Sequence, residues 1–343
     1  MVNSIVMEPI DLGTWDEILE EQPSATFFHT SAWIQVLAET YGYKPLSLLR
    51  RSFGTLSVVM PLMEVRSFLT GTRGVSLPFS DFCAPFLGGS VVVDEVLSRL
   101  KSYGRERGWR YFEMRGSGDL AVPSSASYYR HDLDLSQGRE KIASGLRDTT
   151  GRNIRTAEKK GITVTISDSL RSLQQFVQLN YLTRREHGLP PQPARFFQKI
   201  HEHIHSRGKG VTVLAFSCGI PVAGAVFFHY RDQADYKFGA FNRAYQHMRA
   251  NNKVMWEAIK WYAGKGCRHF SFGRTEPENE GLLQFKRGWG AAETRVTYCK
   301  YDFRQEAFVQ NAPPHKTAYG PLLARMPLPV LRLAGAVFYK HAG

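Results

Sequence analysis

The sequence predicts a two-domain α/β protein whose halves are built alike, and three observations carry the prediction. The chain is 343 residues long, enough for one large domain or two of ordinary size. Apolar runs of strand length alternate along it with stretches of helical periodicity. A helix–glycine–strand unit then recurs. Gly108-Trp109-Arg110-Tyr111-Phe112 matches Gly266-Cys267-Arg268-His269-Phe270 at the Gly, Arg and Phe positions. Without a change of register, Val96, Leu97, Leu100 and Tyr103 fall on Val254, Met255, Ala258 and Trp261. Each set makes one apolar stripe at helical spacing.

In chain order, the first half opens with an amphipathic helix around Trp33-Ile34-Gln35-Val36-Leu37. Leu46–Leu49 and Leu56–Val65 flank a turn at Ser52-Phe53-Gly54 and read as a hairpin. An irregular stretch, Phe79-Ser80-Asp81-Phe82-Cys83-Ala84-Pro85, precedes a helix over 94–107 and a strand over 109–114. The second half repeats this order. Val213–Phe216 and Val222–Tyr230 form a hairpin about Cys218-Gly219, followed by a strand at 236–240, a helix at 253–264 and a strand at 269–272. The expected partition is an N-terminal domain over 1–136, a C-terminal domain over 137–305 and a basic apolar tail over 306–343.

Composition limits the function classes. With 43% hydrophobic and 22% charged residues the chain is globular, which excludes a mainly disordered protein. Lys and Arg number 44 against 31 Asp and Glu, a net charge of +13, so an anionic partner is favoured. Cys83, Cys218, Cys267 and Cys299 show no paired spacing; a zinc site or disulfide scaffold is not expected, and a reducing cytoplasm is. Met1–Pro9 lacks a basic, then apolar, leader pattern, and no segment approaches the ~18 apolar residues of a membrane span. The richest basic run is Gln137–Lys160, in which Arg152, Arg155 and Lys159 share one helical face before a stop at Gly161. A solvated face and a phosphate-binding face are equally open readings of it.

Four segments together resemble the Fem family of peptidyltransferases, which are tandem GNAT-fold acyltransferases, and especially Fem-like proteins of surface-polysaccharide and exosortase systems. They are Phe27-Phe28-His29-Thr30-Ser31-Ala32-Trp33, Arg152-Asn153-Ile154-Arg155-Thr156-Ala157-Glu158-Lys159, Gly219-Ile220-Pro221-Val222-Ala223-Gly224-Ala225, and the stretch from Phe272-Gly273-Arg274 to Phe285-Lys286-Arg287-Gly288-Trp289-Gly290. The resemblance implies two GNAT-like α/β domains with mixed sheets flanked by helices. It also implies acyl or aminoacyl transfer to an amine of a peptidoglycan or exopolysaccharide precursor, with no tightly bound cofactor and aminoacyl-tRNA or acyl-CoA as donor. In Gln246-His247-Met248-Arg249-Ala250-Asn251, which corresponds to the GNAT pyrophosphate loop, Arg249 and Asn251 replace the usual glycines. Gln246, Arg249 and Asn251 are therefore the donor-binding candidates.

For the chemistry, the resemblance assigns Lys286 to the developing oxyanion, whereas the residues alone also allow a lysine that complements a helix C-terminus. Glu276 and Glu278 are the candidate general bases, in a polar turn where solvation is the other reading. Arg274, at a strand end, suits a carboxylate or phosphate. Asp81, among apolar neighbours, suits an acceptor amine or nearby backbone N–H groups, and Tyr236 suits a hydrogen-bond donor or strand packing. His201, His203 and His205 lack the further ligands that zinc needs, so no metal is expected. From Pro313 on the tail has no acid and carries Lys316, Arg325, Arg332 and Lys340 among large apolar residues. It is expected either to touch the inner face of an anionic membrane or to pack on the body. Expected partners are a nucleotide- or lipid-linked anionic precursor and tRNA. The rival readings are a catalytically silent tandem-GNAT protein binding glycan, RNA or membrane, and an acetyl-CoA-dependent N-acetyltransferase.

Overall fold

The computed structural model describes residues 4–52, 55–88, 93–116, 120–310 and 320–343; Phe53, Gly54 and Lys316 of the sequence reading lie outside them. The chain forms two compact units, one from 1–128, 295–315 and 338–343, the other from 129–294 and 316–337. This differs from the expected partition in three ways. Residues 129–136 join the second unit, 295–305 join the first, and 306–343 is no unit of its own.

The first unit contains β1 (Val6–Pro9), α1 (Trp15–Glu20), α2 (Ser31–Tyr41), β2 (Lys44–Ser52), β3 (Thr55–Val65), β4 (Arg73–Val75), β5 (Phe86–Leu87), α3 (Val93–Glu106) and β6 (Tyr111–Arg115). The chain crosses to the second unit within β7 (Ala126–Asp134) and continues through α4 (Arg139–Ser144), α5 (Asp148–Lys159), β8 (Thr163–Ser167), α6 (Leu170–Glu186) and α7 (Ala194–His203). Then come β9 (Gly210–Ser217), β10 (Ile220–Tyr230), β11 (Gln233–Phe241), α8 (Ala250–Gly264), β12 (His269–Thr275) and α9 (Glu280–Arg287). It returns within β13 (Ala292–Asp302), adds β14 (Ala307–Phe308), and closes with α10 (Gly320–Arg325) and α11 (Leu328–Phe338).

The strands of the two units follow one plan. In the first, β1, β2, β3 and β4 run antiparallel in that order, β6 lies parallel to β4, and β13 is antiparallel to β6. In the second, β8, β9, β10 and β11 run antiparallel, β12 lies parallel to β11, and β7 is antiparallel to β12. The parallel step needs a crossover helix, and this is the repeated unit: α3 before β6, α8 before β12. Both helices stop at a glycine held at positive φ, Gly108 at 65° and Gly266 at 82°, which an L side chain adopts only with strain. The sixth strand is exchanged, since β7 follows the first half in sequence but completes the second unit, and β13 does the converse.

Each core sits under its crossover helix. Val96, Leu97 and Leu100 of α3 cluster with Leu48, Met60 and Phe112 in the first unit. Val254, Met255 and Ala258 of α8 cluster with Ile154 and Ala157 of α5 and with Val213, Ala225 and Phe270 in the second. In the first unit the segment 338–343 is strapped by Arg73, which is buried and donates to the main-chain carbonyls of His341 at 2.8 Å and Gly343 at 2.6 Å.

Candidate functional site

Two helix N-termini in the second unit open on one cleft of about 440 Å³. Strand β11 ends at Phe241. The Asn242 side chain accepts a hydrogen bond from the Ala244 N–H at 3.1 Å, a 3₁₀ turn runs from Arg243 to Met248, and Arg249 turns the chain into α8 at φ 59°. A non-glycine residue there costs roughly 1 kcal/mol or more. No side chain caps the start of α8, and none caps α5 at Arg147. Their first-turn N–H groups and positive dipole ends therefore suit an anion. Arg147, Thr149, Thr150 and Asn153 line the cleft from one side, Gln246, Arg249 and Asn251 from the other, and no carboxylate does.

The stretch from Phe285 to Gly290 explains how the cleft is closed along α9. A Cβ on Gly288 would stand 2.5 Å from the Thr150 hydroxyl, and one on Gly290, at φ 72°, would stand 2.8 Å from the Gly145 carbonyl oxygen. The Arg147 N–H donates to the Gly288 carbonyl at 3.0 Å. Trp289 is fully buried against Phe272. These residues fix the start of α5 beside Gln284 and Phe285, which line the cleft.

Lys286 itself turns inward. It is 2% exposed, and its ammonium donates to the carbonyls of Gly273 at 2.9 Å and Arg274 at 3.1 Å. There β12 slips register against β7, between Ser271 and Arg274, with Gly273 at φ 69°, and the Lys286 ammonium sits against the main chain of that irregularity. Lys286 is not among the residues lining the cleft. Near it lies a cluster that the sequence reading missed. His131 is buried, with Nε2 2.9 Å from Glu293 Oε2, and Glu293 is gripped by Arg287 through Nε at 2.7 Å and Nη2 at 2.9 Å. Burial and then the Lys286 charge push the His131 pKa down, against the pull of Glu293. Isolated residues on two strands far apart in sequence gave no local signal of this cluster.

The other expected site residues scatter. Arg152, Arg155 and Lys159 share an exposed face of α5, and none of them lines the cleft. Glu276 and Glu278 stand exposed in the turn before α9, whose N-cap is Asn279, its side chain accepting from the Leu282 N–H at 3.2 Å. Arg274 is half-buried at the end of β12. Tyr236 packs on Phe227, and burial pushes its hydroxyl up to about 12. Asp81 belongs to the first unit, where its main-chain carbonyl accepts from the Tyr298 hydroxyl at 2.8 Å.

Residues 144–287, from the end of α4 through α9, match the family described as Acetyltransferase (GNAT) domain. The structure is similar to FemX at a TM-score of 0.65 and 13% identity, covering 88% of this chain and 98% of that one. It is also similar to a tandem GNAT protein from the clavulanic acid biosynthesis pathway, at 0.56 and 10%, covering 91% and 100%. The chain has a Fem-like tandem GNAT fold. A third similar structure is the lysylphosphatidylglycerol synthetase L-PGS from Bacillus licheniformis, at 0.52 and 13%, covering 96% and 98%. No curated protein matches the sequence. Within the tandem GNAT fold, the matched segment carries both helix starts that form the cleft.

Proposed function

We propose that this chain is an acyltransferase that binds a phosphate-bearing donor in the cleft of the second unit and passes its acyl or aminoacyl group to an amine of a cell-envelope precursor. One observation carries the reading: two uncapped helix N-termini, with Arg147 and Arg249, converge on an acid-free cleft inside the matched GNAT segment. Two guanidiniums and two dipole ends suit a pyrophosphate. The acceptor class is supported by the Fem resemblance and by the likeness to FemX and lysylphosphatidylglycerol synthetase. The donor is acyl-CoA or aminoacyl-tRNA, used as co-substrate.

In this reading Gln246, Arg249 and Asn251 hold the donor phosphates. Lys286 is a positioning residue, holding the β12 bulge and placing a positive charge beside it. Glu276 and Glu278 are the candidates to take the acceptor amine's proton, and Arg274 to bind an anionic group of the acceptor. Arg152, Arg155 and Lys159 are an outer basic track suited to tRNA.

Titration calorimetry with acetyl-CoA and filter binding with aminoacyl-tRNA test the donor. Arg147→Gln and Arg249→Gln should each weaken the true donor by roughly tenfold or more, the worth of a charge-assisted hydrogen bond. Replacing Arg152, Arg155 and Lys159 by Gln should weaken tRNA alone and flatten its salt dependence. If neither donor binds, a silent anion-binding protein becomes the better account.

A further inference from the structure

Helix α11 departs from the usual pattern of a surface helix. Its sequence, Leu328-Pro329-Val330-Leu331-Arg332-Leu333-Ala334-Gly335-Ala336-Val337-Phe338, holds one polar side chain. The inner face is Leu331 and Gly335, both buried. A Cβ on Gly335 would lie 2.0 Å from the Pro191 carbonyl oxygen, so the helix backbone rests directly on the chain beneath. Arg332 reaches back over the Tyr181 ring at 4.9 Å. Pro329 falls in the first turn, where its missing N–H costs no helical hydrogen bond, and Pro327 stands between α10 and α11.

Apart from the exposed Arg332, the outer face is apolar. Val330, Leu333 and Val337 lie on one side at helical spacing, between 44% and 66% exposed, flanked by exposed Pro329 and Ala336. Phe338 is exposed at the helix end. Three residues on, His341 meets the ring of Phe68 edge-on at 4.6 Å; Phe68 is 82% exposed and Leu69 beside it is exposed as well. Of the nine large hydrophobic side chains exposed among the described residues, four belong to α11. Helices seated on a globular body ordinarily turn charge outward, and an all-round apolar helix belongs in a covered place.

We infer that the outer face of α11 docks on an anionic phospholipid bilayer. Charge selects this occupant. Residues 307–343 contain no Asp or Glu, while Arg325 and Lys340 stand exposed just beyond the two ends of α11. An apolar stripe flanked by cations is the pattern of a helix lying in a charged membrane interface. No helix among the described residues is long and apolar enough to cross a membrane, so α11 lies in the interface plane. The inference rests on this helix and its flanks, independently of the acyl transfer proposed above.

Cosedimentation of the whole chain with sucrose-loaded vesicles tests it, using phosphatidylcholine alone or mixed equally with phosphatidylglycerol. The expected result is binding to the anionic vesicles, weakened by salt and faint on phosphatidylcholine. The double substitution Leu333→Glu, Val337→Glu should cut partitioning at least tenfold while leaving the circular dichroism spectrum and melting temperature unchanged, because both side chains are exposed. Leu333→Ser with Val337→Ser, a milder pair, should lose part of the binding. Arg325→Gln and Lys340→Gln should each cost about fivefold. Absence of binding by the unaltered chain, or equal binding by the folded Glu variant, overturns the proposal. So does a wild-type dimer that ignores vesicles and becomes monomeric in the Glu variant, which would make the face a protein interface.

Discussion

At the scale of single residues, Lys286 and His29 make opposite demands on charge. The Lys286 ammonium is held by the Gly273 and Arg274 carbonyls. Lys286→Met removes both donors from a buried bulge, and each abandoned acceptor costs about 1–3 kcal/mol. The expected outcome is a clear fall in the urea midpoint of Lys286→Met; an unchanged midpoint would return the lysine to a purely chemical role. His29 is fully buried and neutral: its Nδ1 accepts from the Thr26 N–H at 3.1 Å, and its Nε2 lies 3.0 Å from the Ala84 carbonyl oxygen, to which it donates. Burial lowers its pKa to about 4 despite these bonds, and burial with the nearby His201 and His229 lowers that of His205 to about 3. Below pH ~6.5 the unfolded chain takes up protons that the folded chain refuses, so stability is full above that pH and falls as pH drops toward 4. For His29 the loss is about 3 kcal/mol by pH 4, at ~1.4 kcal/mol per pKa unit. Urea unfolding at pH 7.5 and pH 5 should show this fall, and it should be smaller in His29→Gln. An equal fall in both proteins would place its origin elsewhere.

At the scale of elements, legibility follows locality. The units α3–β6 and α8–β12 could be read because one helical stripe and one glycine stop encode each of them within two dozen residues. The α8 side of the cleft was legible for the same reason, since Gln246, Arg249 and Asn251 sit on one turn. The α5 side was not. Charge drew attention to Arg152, Arg155 and Lys159, yet a run of charge marks the face that water prefers, and the cleft is lined instead by Arg147, Thr149, Thr150 and Asn153. The seat of α11 shows how fine such element contacts are. With the Pro191 carbonyl oxygen 2.0 Å from where a Cβ would stand, Gly335→Ala forces the helix off its seat, a strain of about 1–3 kcal/mol. Hydrogen exchange along α11 should accelerate in Gly335→Ala while exchange in α8 stays as it was. Uniform exchange across both helices would show that the contact yields without cost.

At the scale of the whole molecule, the duplication was legible and the exchange of strands was not. Both copies present the same local patterns, and nothing in a strand's own residues states which of two equivalent units it will complete. β13 supplies Cys299 and Tyr301 to the core of the first unit and pairs with β6 from Tyr298↔Arg115 to Asp302↔Tyr111. A fragment ending at residue 136, the boundary that sequence alone placed there, therefore lacks a strand and two core side chains of its own unit. It should be unfolded or aggregated by circular dichroism and gel filtration. A cooperative melt from that fragment would mean that β13 is dispensable to the first unit.

The exchange also sets a timetable. β6 ends at Arg115 and its partner strand begins at Ala292, so at ~5–20 residues per second a ribosome takes about 10–40 s to deliver the missing neighbour. Meanwhile β6 offers an open edge, and the next strand to emerge is β7, which fills the equivalent place in the other unit. β7 is thus available to β6 before β13, the partner β6 finally keeps. Translation speed across residues 135–290 decides how long β7 competes for that edge.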